Sequence, residues 1–125
     1  MIAVDTSALL AILLEEPLAD DCAAALNSED RLLISAGTLT EALIVAQARN
    51  RGEALEALIG VLGFEVVPVD AATARRAAAA HARWGKGAKG LNFGDCFAYD
   101  VAKQNRCPLL YVGRDFAKTD VKGVL

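Results

Sequence analysis

The sequence contains few of the residues that build thiol, zinc or histidine-based sites. Its 125 residues include one histidine, and aromatic residues make up only 6%. The three cysteines, Cys22, Cys96 and Cys107, are far apart and lack the CxxC spacing of zinc or thioredoxin-like sites. A lone histidine also excludes catalysis by a histidine acid paired with a histidine base. We therefore expect the cysteines to be small buried hydrophobic residues in a reducing cytoplasm.

Long hydrophobic runs are also lacking. No apolar stretch approaches the roughly 18–20 residues of a membrane span. No charged segment precedes residues 1–4, and Asp5 interrupts the first apolar stretch, so we expect neither a signal peptide nor a membrane anchor. Hydrophobic residues nevertheless make up 54% of the chain. This content and length fit a single domain, residues 1–125, with an aliphatic, alanine-rich core.

The charges are unevenly distributed although the formal net charge is only −3. Residues 1–30 carry seven acidic side chains and no basic one. Residues 71–94 contain no acidic side chain, but they contain His81 and the five basic residues Arg75, Arg76, Arg83, Lys86 and Lys89. The asymmetry fits a basic surface beside an acidic site, and equally a solvated helix face followed by a charged loop.

Short apolar segments alternate with longer helical ones. The pattern predicts strands at 1–4, 31–34, 64–69 and 109–112, with a last edge strand at 121–125. It predicts helices at 6–16, 18–27, from about 35–41 to 52, 53–62, 70–84 and 95–105, with a basic loop at 85–90. This alternation indicates an α/β domain with a central, mainly parallel sheet. Ligands of such sheets bind beyond the carboxyl ends of the strands.

Four carboxylates lie at strand ends or helix starts. Asp5 follows the first strand, Asp115 follows the strand at 109–112, and Asp95 and Glu41 begin helices. Each has a structural explanation of its own. Asp5 and Asp95 could cap helices, Asp115 could stabilise a turn, and Glu41 could complete a capping box with Thr38.

Together the four are harder to explain as caps. Carboxylates about 5 Å apart repel by about 3 kcal/mol per pair at an effective dielectric constant near 20, and a cap contributes about 1 kcal/mol. Such a cluster requires raised pKa values or a bound cation. Oxygen ligands without histidine or cysteine select Mg²⁺ or Mn²⁺, ions that activate water against phosphodiesters. The sequence alone does not establish that the four carboxylates converge.

Four segments carry a family resemblance. They read VDTSALLAIL at 4–13, TLTEAL at 38–43, LNFGDCFAYDVAK at 91–103 and LLYVGRDFAKTDV at 109–121. In this order, over nearly the whole chain, they resemble PIN-domain ribonucleases of the VapC toxin type. The resemblance implies a three-layer α/β/α fold and Mg²⁺-dependent (or Mn²⁺-dependent) endonucleolytic cleavage of RNA by an activated water. It also implies a VapB-like antitoxin, as in type II toxin–antitoxin pairs, and a homodimer.

The resemblance assigns roles by position. The metal and catalytic quartet falls on Asp5, Glu41, Asp95 and Asp115. Supporting residues are Thr6, Ser7, Asn92, Thr119 and Asp120, and the RNA backbone is assigned to Arg75, Arg76, Arg83, Lys86 and Lys89. Asp100 lies about 140° around the helix from Asp95, so we expect a surface charge without a catalytic role. Arg114 lies at a position where many relatives carry a small polar residue or a second acid. The number of metal ions, one or two, is therefore left open.

Two other interpretations fit less of the sequence, and a third stays open. A receiver domain has paired acidic residues after its first strand, but in this chain Asp5 is followed by Thr6 and Ser7. It also has a lysine after a late strand, where this chain has Arg114 and Asp115. A haloacid-dehalogenase-like phosphatase expects a second aspartate at the position of Ser7. A PIN fold that binds RNA or a partner without cleaving remains an alternative.

Overall fold

A computed structural model describes residues 1–87 and 90–125. The strands are β1 (Ile2–Val4), β2 (Leu32–Ser35), β3 (Glu65–Val67) and β4 (Leu109–Leu110). The helices are α1 (Thr6–Leu13), α2 (Ala19–Asn27), α3 (Ala36–Ala48), α4 (Gly52–Leu62), α5 (Ala71–Trp84) and α6 (Phe93–Gln104). None of the helices in these two ranges has the length and hydrophobicity needed to cross a membrane.

The four strands form one parallel sheet in the order β3-β2-β1-β4. Ala3 in β1 pairs with Leu33 on one side and with Leu109 on the other. Because all strands run the same way, their carboxyl ends lie along one edge of the sheet. Asp5 and the chain after β4 are therefore brought together at that edge.

Helices cover both faces of the sheet. Successive strand residues point to opposite faces. Ile2 and Val4 pack into a core with α1 to α4, whereas Ala3 and Leu33 pack into a second core with α5 and α6. The predicted three-layer α/β/α fold with a central parallel sheet is confirmed.

The prediction of a last edge strand is wrong. The end of the chain meets the sheet at one isolated bridge, between Leu109 and Gly123. Two backbone hydrogen bonds make it, from Leu109 N to Lys122 O at 2.8 Å and from Val124 N to Leu109 O at 3.1 Å. Strand β4 is itself shorter than predicted, so the terminal segment pairs with only one of its residues.

Two helix starts differ from the sequence prediction. Helix α3 is capped by Ser35, whose hydroxyl accepts a hydrogen bond from Gly37 N at 3.1 Å, so Thr38 lies inside the helix and forms no capping box with Glu41. Helix α6 is capped by Asn92, and Asp95 is the third helical residue rather than the cap. Both carboxylates consequently lie inside a helix, in its first two turns.

Asp100 is not a surface charge, and that prediction is wrong. Its side chain is buried between α5 and α6, where both of its oxygens accept hydrogen bonds from Arg76, at 2.8 and 3.1 Å. The error arises because the opposite face of α6 is covered by a second helix rather than by solvent. Arg76 is therefore engaged in the packing of the two helices.

The cysteines largely follow the sequence prediction. All three carry free thiols. Cys22 and Cys96 are buried in the two cores, and Cys107 is half-buried. Burial raises the pKa of the Cys96 thiol to about 11, which keeps it protonated and unreactive at neutral pH.

Candidate active site

A cavity of about 220 Å³ lies at the carboxyl edge of the sheet. The structure brings all four carboxylates of the sequence analysis to its walls. Its polar lining consists of Asp5, Thr6, Ser7, Glu41, Asp95 and Asp115. The convergence that the sequence could only assume is thus a property of the fold.

Asp5 is held by the residues that follow it. Its Oδ2 accepts hydrogen bonds from the backbone amide of Ser7 at 3.1 Å and from the Ser7 hydroxyl at 2.6 Å. The Ser7 hydroxyl in turn accepts a hydrogen bond from Val112 N at 3.0 Å, which ties the end of β1 to the chain after β4. Asp5 Oδ1 is buried without a hydrogen-bond partner. A buried acceptor without a partner is costly, and a cation would satisfy it.

Asp95 takes part in the cap of α6 and also lines the cavity. Its Oδ2 accepts a hydrogen bond from Asn92 N at 3.0 Å, and its own amide donates to Asn92 Oδ1 at 2.9 Å, which completes a capping box. Only 6% of Asp95 is exposed. The cap uses one carboxylate oxygen, so Oδ1 stays available to a ligand. Asn92, predicted as a supporting residue, therefore fixes the start of α6.

Contacts with Thr6 and Gly94 position the Glu41 carboxylate at the cavity. The Thr6 hydroxyl donates to Glu41 Oε1 at 2.6 Å and lies 3.3 Å from the carbonyl of Thr38. On the other side, the carboxylate packs against Gly94, where an added Cβ would lie 2.6 Å from Glu41 Cδ. Glycine at position 94 thus gives the Glu41 side chain the space it occupies.

Replacement of Gly94 by alanine is expected to lower the free energy of unfolding by about 1–3 kcal/mol, because the new methyl group displaces a partly buried carboxylate. Gly60 offers a matched control, since it is also helical but has no atom within 4 Å of the position that an added methyl group would take. Gly60→Ala is expected to stabilise the protein by about 0.5–1 kcal/mol through helix propensity. Urea unfolding of both variants measures the difference, and a Gly94→Ala protein as stable as Gly60→Ala would contradict the contact.

The electrostatics of the cavity favour protons or a cation. Burial, reinforced by the charges of Asp5, Asp115 and Glu41, raises the pKa of Asp95 to about 7 against the opposing bond from Asn92 N. Burial raises the pKa of Asp5 to about 6, with a further contribution from Glu41 and opposing bonds from Ser7. Both carboxylates thus take up protons near neutral pH.

The chemical type of the side-chain donors in the cavity suits a hard divalent cation. All donors are oxygens, Asp5 Oδ1 lacks a partner, and no Lys or Arg of the described residues lines the cavity. In residues 1–87 and 90–125, however, no three His, Cys, Asp or Glu side chains are already spaced to hold one ion. Asp115 is the exposed member of the quartet and lines the cavity from the segment after β4.

The closing Thr-Asp pair lies outside the acidic cavity. The Thr119 hydroxyl donates to Phe116 O at 2.7 Å. Asp120 accepts a hydrogen bond from the Tyr99 hydroxyl at 2.6 Å and pairs with Lys103 at 3.2 Å. The Asp120 contacts fasten the C-terminal segment to α6, and the Thr119 contact lies within that segment. The supporting role of the pair stays a prediction.

The predicted RNA-contacting residues divide into three groups. Arg83 and Lys86 line a neighbouring cavity that shares Asp115 with the acidic one. Arg75 is exposed on α5, and Arg76 is paired with Asp100. Lys89 lies outside the described residues. Sequence reasoning missed Lys118, which lines the neighbouring cavity and carries no motif signal beyond its place three residues after Asp115.

Comparisons with known proteins bear on the family and the fold of the chain. The PIN domain profile matches residues 2–122. Ribonuclease VapC28 of Mycobacterium tuberculosis is 42% identical over 128 residues, which cover 98% of this chain and 96% of the relative. The crystal structure of M. tuberculosis VapC20, a Sarcin-Ricin loop cleaving toxin, superposes with a TM-score of 0.82 at 18% identity, covering 99% of this chain and 98% of that one.

A DNA-bound VapBC structure from Salmonella typhimurium superposes with a TM-score of 0.71 at 19% identity, covering 98% of this chain and 94% of that one. At these identities the two solved structures establish the fold alone. The family follows from the domain match over residues 2–122 and from the 42% identity to VapC28. The chain therefore belongs to the PIN-domain family, among the VapC ribonucleases.

Proposed function

We propose that this chain is a metal-dependent endoribonuclease and the toxin of a type II toxin–antitoxin pair. One observation carries the proposal: four carboxylates line a single cavity in which Asp5 Oδ1 is buried without a partner. VapC28, a relative at 42% identity, is a ribonuclease, and VapC20, a structural neighbour, is a Sarcin-Ricin loop cleaving toxin. The acidic cavity is the feature through which this chain would share that chemistry.

Asp5 and Asp95 would hold the principal Mg²⁺ or Mn²⁺ directly, and Asp115 and Glu41 would complete the site. When bound, such an ion lowers the pKa of water and offsets the charge of a phosphodiester. The proposal is supported by the oxygen-only donor set and by the raised pKa values of Asp5 and Asp95. Burial is the main cause of both raised pKa values, and a bound cation would offset its cost for the charged carboxylates.

The residues of the chain have separate tasks in this mechanism. Ser7 fixes the direction of the Asp5 carboxylate, and Thr6 fixes that of Glu41. A carboxylate of the quartet accepts the proton of the water that attacks phosphorus in line. Arg83 and Lys86, beside the acidic cavity, hold the RNA backbone.

The experiment that tests the function is cleavage of a mixture of transfer, ribosomal and messenger RNA. Cleavage is expected with Mg²⁺ or Mn²⁺, and it should stop with chelator and return when the ion is added in excess. Cleavage that persists in chelator would rule out the metal. RNA binding without cleavage under any of these conditions would favour the alternative, a PIN fold that binds without cutting.

We also propose a VapB-like antitoxin as partner. The acidic cavity has room for an arginine or lysine side chain, which would form charge-assisted hydrogen bonds with the carboxylates in place of the cation. The VapBC structure from S. typhimurium is a complex of this kind of pair. Purification together with the product of the neighbouring reading frame tests the partner, and cleavage unchanged by that product would contradict it.

A homodimer is proposed from an exposed apolar surface on α5 and α6. A groove of about 490 Å³ is lined by Val69, Ala77, Phe93 and Phe97, and Phe93 is 79% exposed. Surfaces of this kind mark protein contacts. Light scattering of the purified chain decides the matter: a mass of two chains supports the dimer, and a mass of one chain contradicts it.

A further inference from the structure

The cavity beside the acidic one has the opposite charge. It measures about 200 Å³ and lies between the end of α5, the loop that follows it and the C-terminal segment. We call it the basic pocket, and its lining consists of Arg83, Trp84, Lys86, Gly90, Asp115, Lys118 and Thr119. Asp115 lines both cavities, so the two adjoin.

The two ends of the loop after α5 lie next to each other at this pocket. Leu91 N donates to Trp84 O at 3.0 Å and joins the two ends of the loop. Gly90 permits this closure, because a Cβ there would lie 2.6 Å from the carbonyl carbon of Gly85 and 2.8 Å from Lys86 N. The closure holds the backbone of Lys86 at the pocket.

Lys118 enters the pocket from the other side, on a compact turn. Ala117 N donates to Arg114 O at 3.1 Å, and Thr119 N donates to Phe116 O at 3.0 Å. Phe116 is buried in the core beside Tyr111, which anchors the turn. The sequence separates Lys118 from Lys86 by more than thirty residues, and the fold places both on one pocket.

Trp84 is the aromatic side chain among the described lining residues of the basic pocket. The Arg83 guanidinium lies 4.5 Å from the centre of the Trp84 ring. Trp84 Nε1 donates to the Tyr99 hydroxyl at 3.1 Å, and that hydroxyl donates to Asp120. The network fixes the Trp84 ring, and the cation–π contact keeps the exposed Arg83 side chain beside that ring at the pocket.

The positive charges of the basic pocket are available to a ligand. Within the described ranges, the ion pairs are those of the N-terminus, Arg31, Arg76 and Lys103, and they do not include Arg83, Lys86 or Lys118. Among the described lining residues, Asp115 is the single acidic side chain, against three basic ones. A concave site with this balance attracts an anion.

We propose that the basic pocket holds a backbone phosphate next to the one that is cleaved. The inference rests on the proposed function. A nucleic acid strand can place one phosphate among the carboxylates with their cation and a neighbouring phosphate among Arg83, Lys86 and Lys118. The shared wall at Asp115 makes these adjacent positions on one strand. The pocket thereby sets the strand's register at the site of cleavage, independent of base identity.

Lys118→Ala tests the proposal with Lys122→Ala as matched control. Lys122 belongs to the same C-terminal segment but lines a different cavity, with Arg106 and Pro108 at the amino end of β4. Both are measured on one single-stranded RNA that the parent cleaves, at several salt concentrations. Lys118→Ala is expected to raise KM about three- to tenfold with kcat within about twofold, and to reduce the salt slope by about 0.7. Lys122→Ala should leave KM and the slope unchanged.

The outcomes separate this inference from the proposed function. If the parent cleaves RNA and Lys118→Ala matches Lys122→Ala, or lowers kcat alone, the basic pocket is not a phosphate site. If the parent cleaves no RNA, the proposed function fails. The fluorescence of Trp84, the single tryptophan, then tests whether the basic pocket binds RNA at all. RNA added in chelator should change that emission in the parent but not in Lys118→Glu, and an unchanged emission in the parent would overturn the proposal.

Discussion

Asp5→Asn is expected to reduce RNA cleavage by about a thousandfold or more, which corresponds to roughly 4 kcal/mol of transition-state stabilisation. Asparagine keeps the size of the side chain and can still accept hydrogen bonds from Ser7. It removes the negative charge that faces the cavity, where Asp5 Oδ1 has no hydrogen-bond partner. Cleavage rates at saturating Mg²⁺ measure the effect.

The fold should survive this substitution. In chelator, Asp5→Asn is expected to be at least as stable as the parent, because it removes a buried charge beside Glu41. Asp30→Asn, in the loop before β2 and away from the acidic cavity, serves as control and should change neither cleavage nor stability. An Asp5→Asn protein that cleaves within about threefold of the parent would mean that this cavity does not perform the chemistry.

The metal-free protein is expected to lose stability as the pH rises from about 5 to 8. The pKa values of Asp5 and Asp95 are raised in the folded state, to about 6 and about 7. Over this range the folded state therefore holds protons that the unfolded state has already released. The free energy of unfolding falls wherever the folded state binds more protons, so the slope with pH is negative.

The size of this effect is on the order of 2–4 kcal/mol between pH 5 and 8, since one pKa unit corresponds to about 1.4 kcal/mol and both raised pKa values fall in this range. The lowered pKa values of Asp70 and Asp120 act in the opposite direction, but only in more acidic solution. Urea unfolding in chelator at several pH values measures the slope.

Mg²⁺ should remove most of this pH dependence. At pH 8 an ion bound to the folded state stabilises it by mass action, whereas at pH 5 protons compete for the same oxygens. Asp95→Asn provides the control, because it removes the group with the larger shift and should flatten the slope in chelator. Stability that rises between pH 5 and 8 in chelator would contradict the raised pKa values.

The strand-end positions of Asp5 and Asp115 could be predicted because they depend on local patterns, whereas the convergence of all four carboxylates could only be assumed. Alternating strands and helices indicated a parallel sheet, and Asp5 and Asp115 each follow a strand of that sheet. The carboxyl-edge rule then brings such residues together without knowledge of side-chain contacts. Neither the single free oxygen of Asp5 nor the Thr6–Glu41 hydrogen bond follows from such a rule, since both depend on tertiary geometry.

The errors have the same origin. Asp100 was expected on the surface because the sequence does not show which face of α6 a second helix covers, and Arg76 of α5 turns out to be its partner. Thr38 and Ser35 are both acceptable caps by residue type, and the end of β2 decides between them. Lys118 could be recognised only once the C-terminal turn and the end of α5 were seen to share a pocket.

The most direct test of the central claim is a calorimetric titration of the parent and Asp5→Asn with Mn²⁺, followed by RNA cleavage in the same samples. The parent is expected to bind the ion and to cleave. Asp5→Asn is expected to do neither at the same ion concentration, while keeping its fold by circular dichroism. Cleavage by a protein that binds no ion, or equal Mn²⁺ binding by both proteins, would contradict a metal-dependent site built on the carboxylate at position 5.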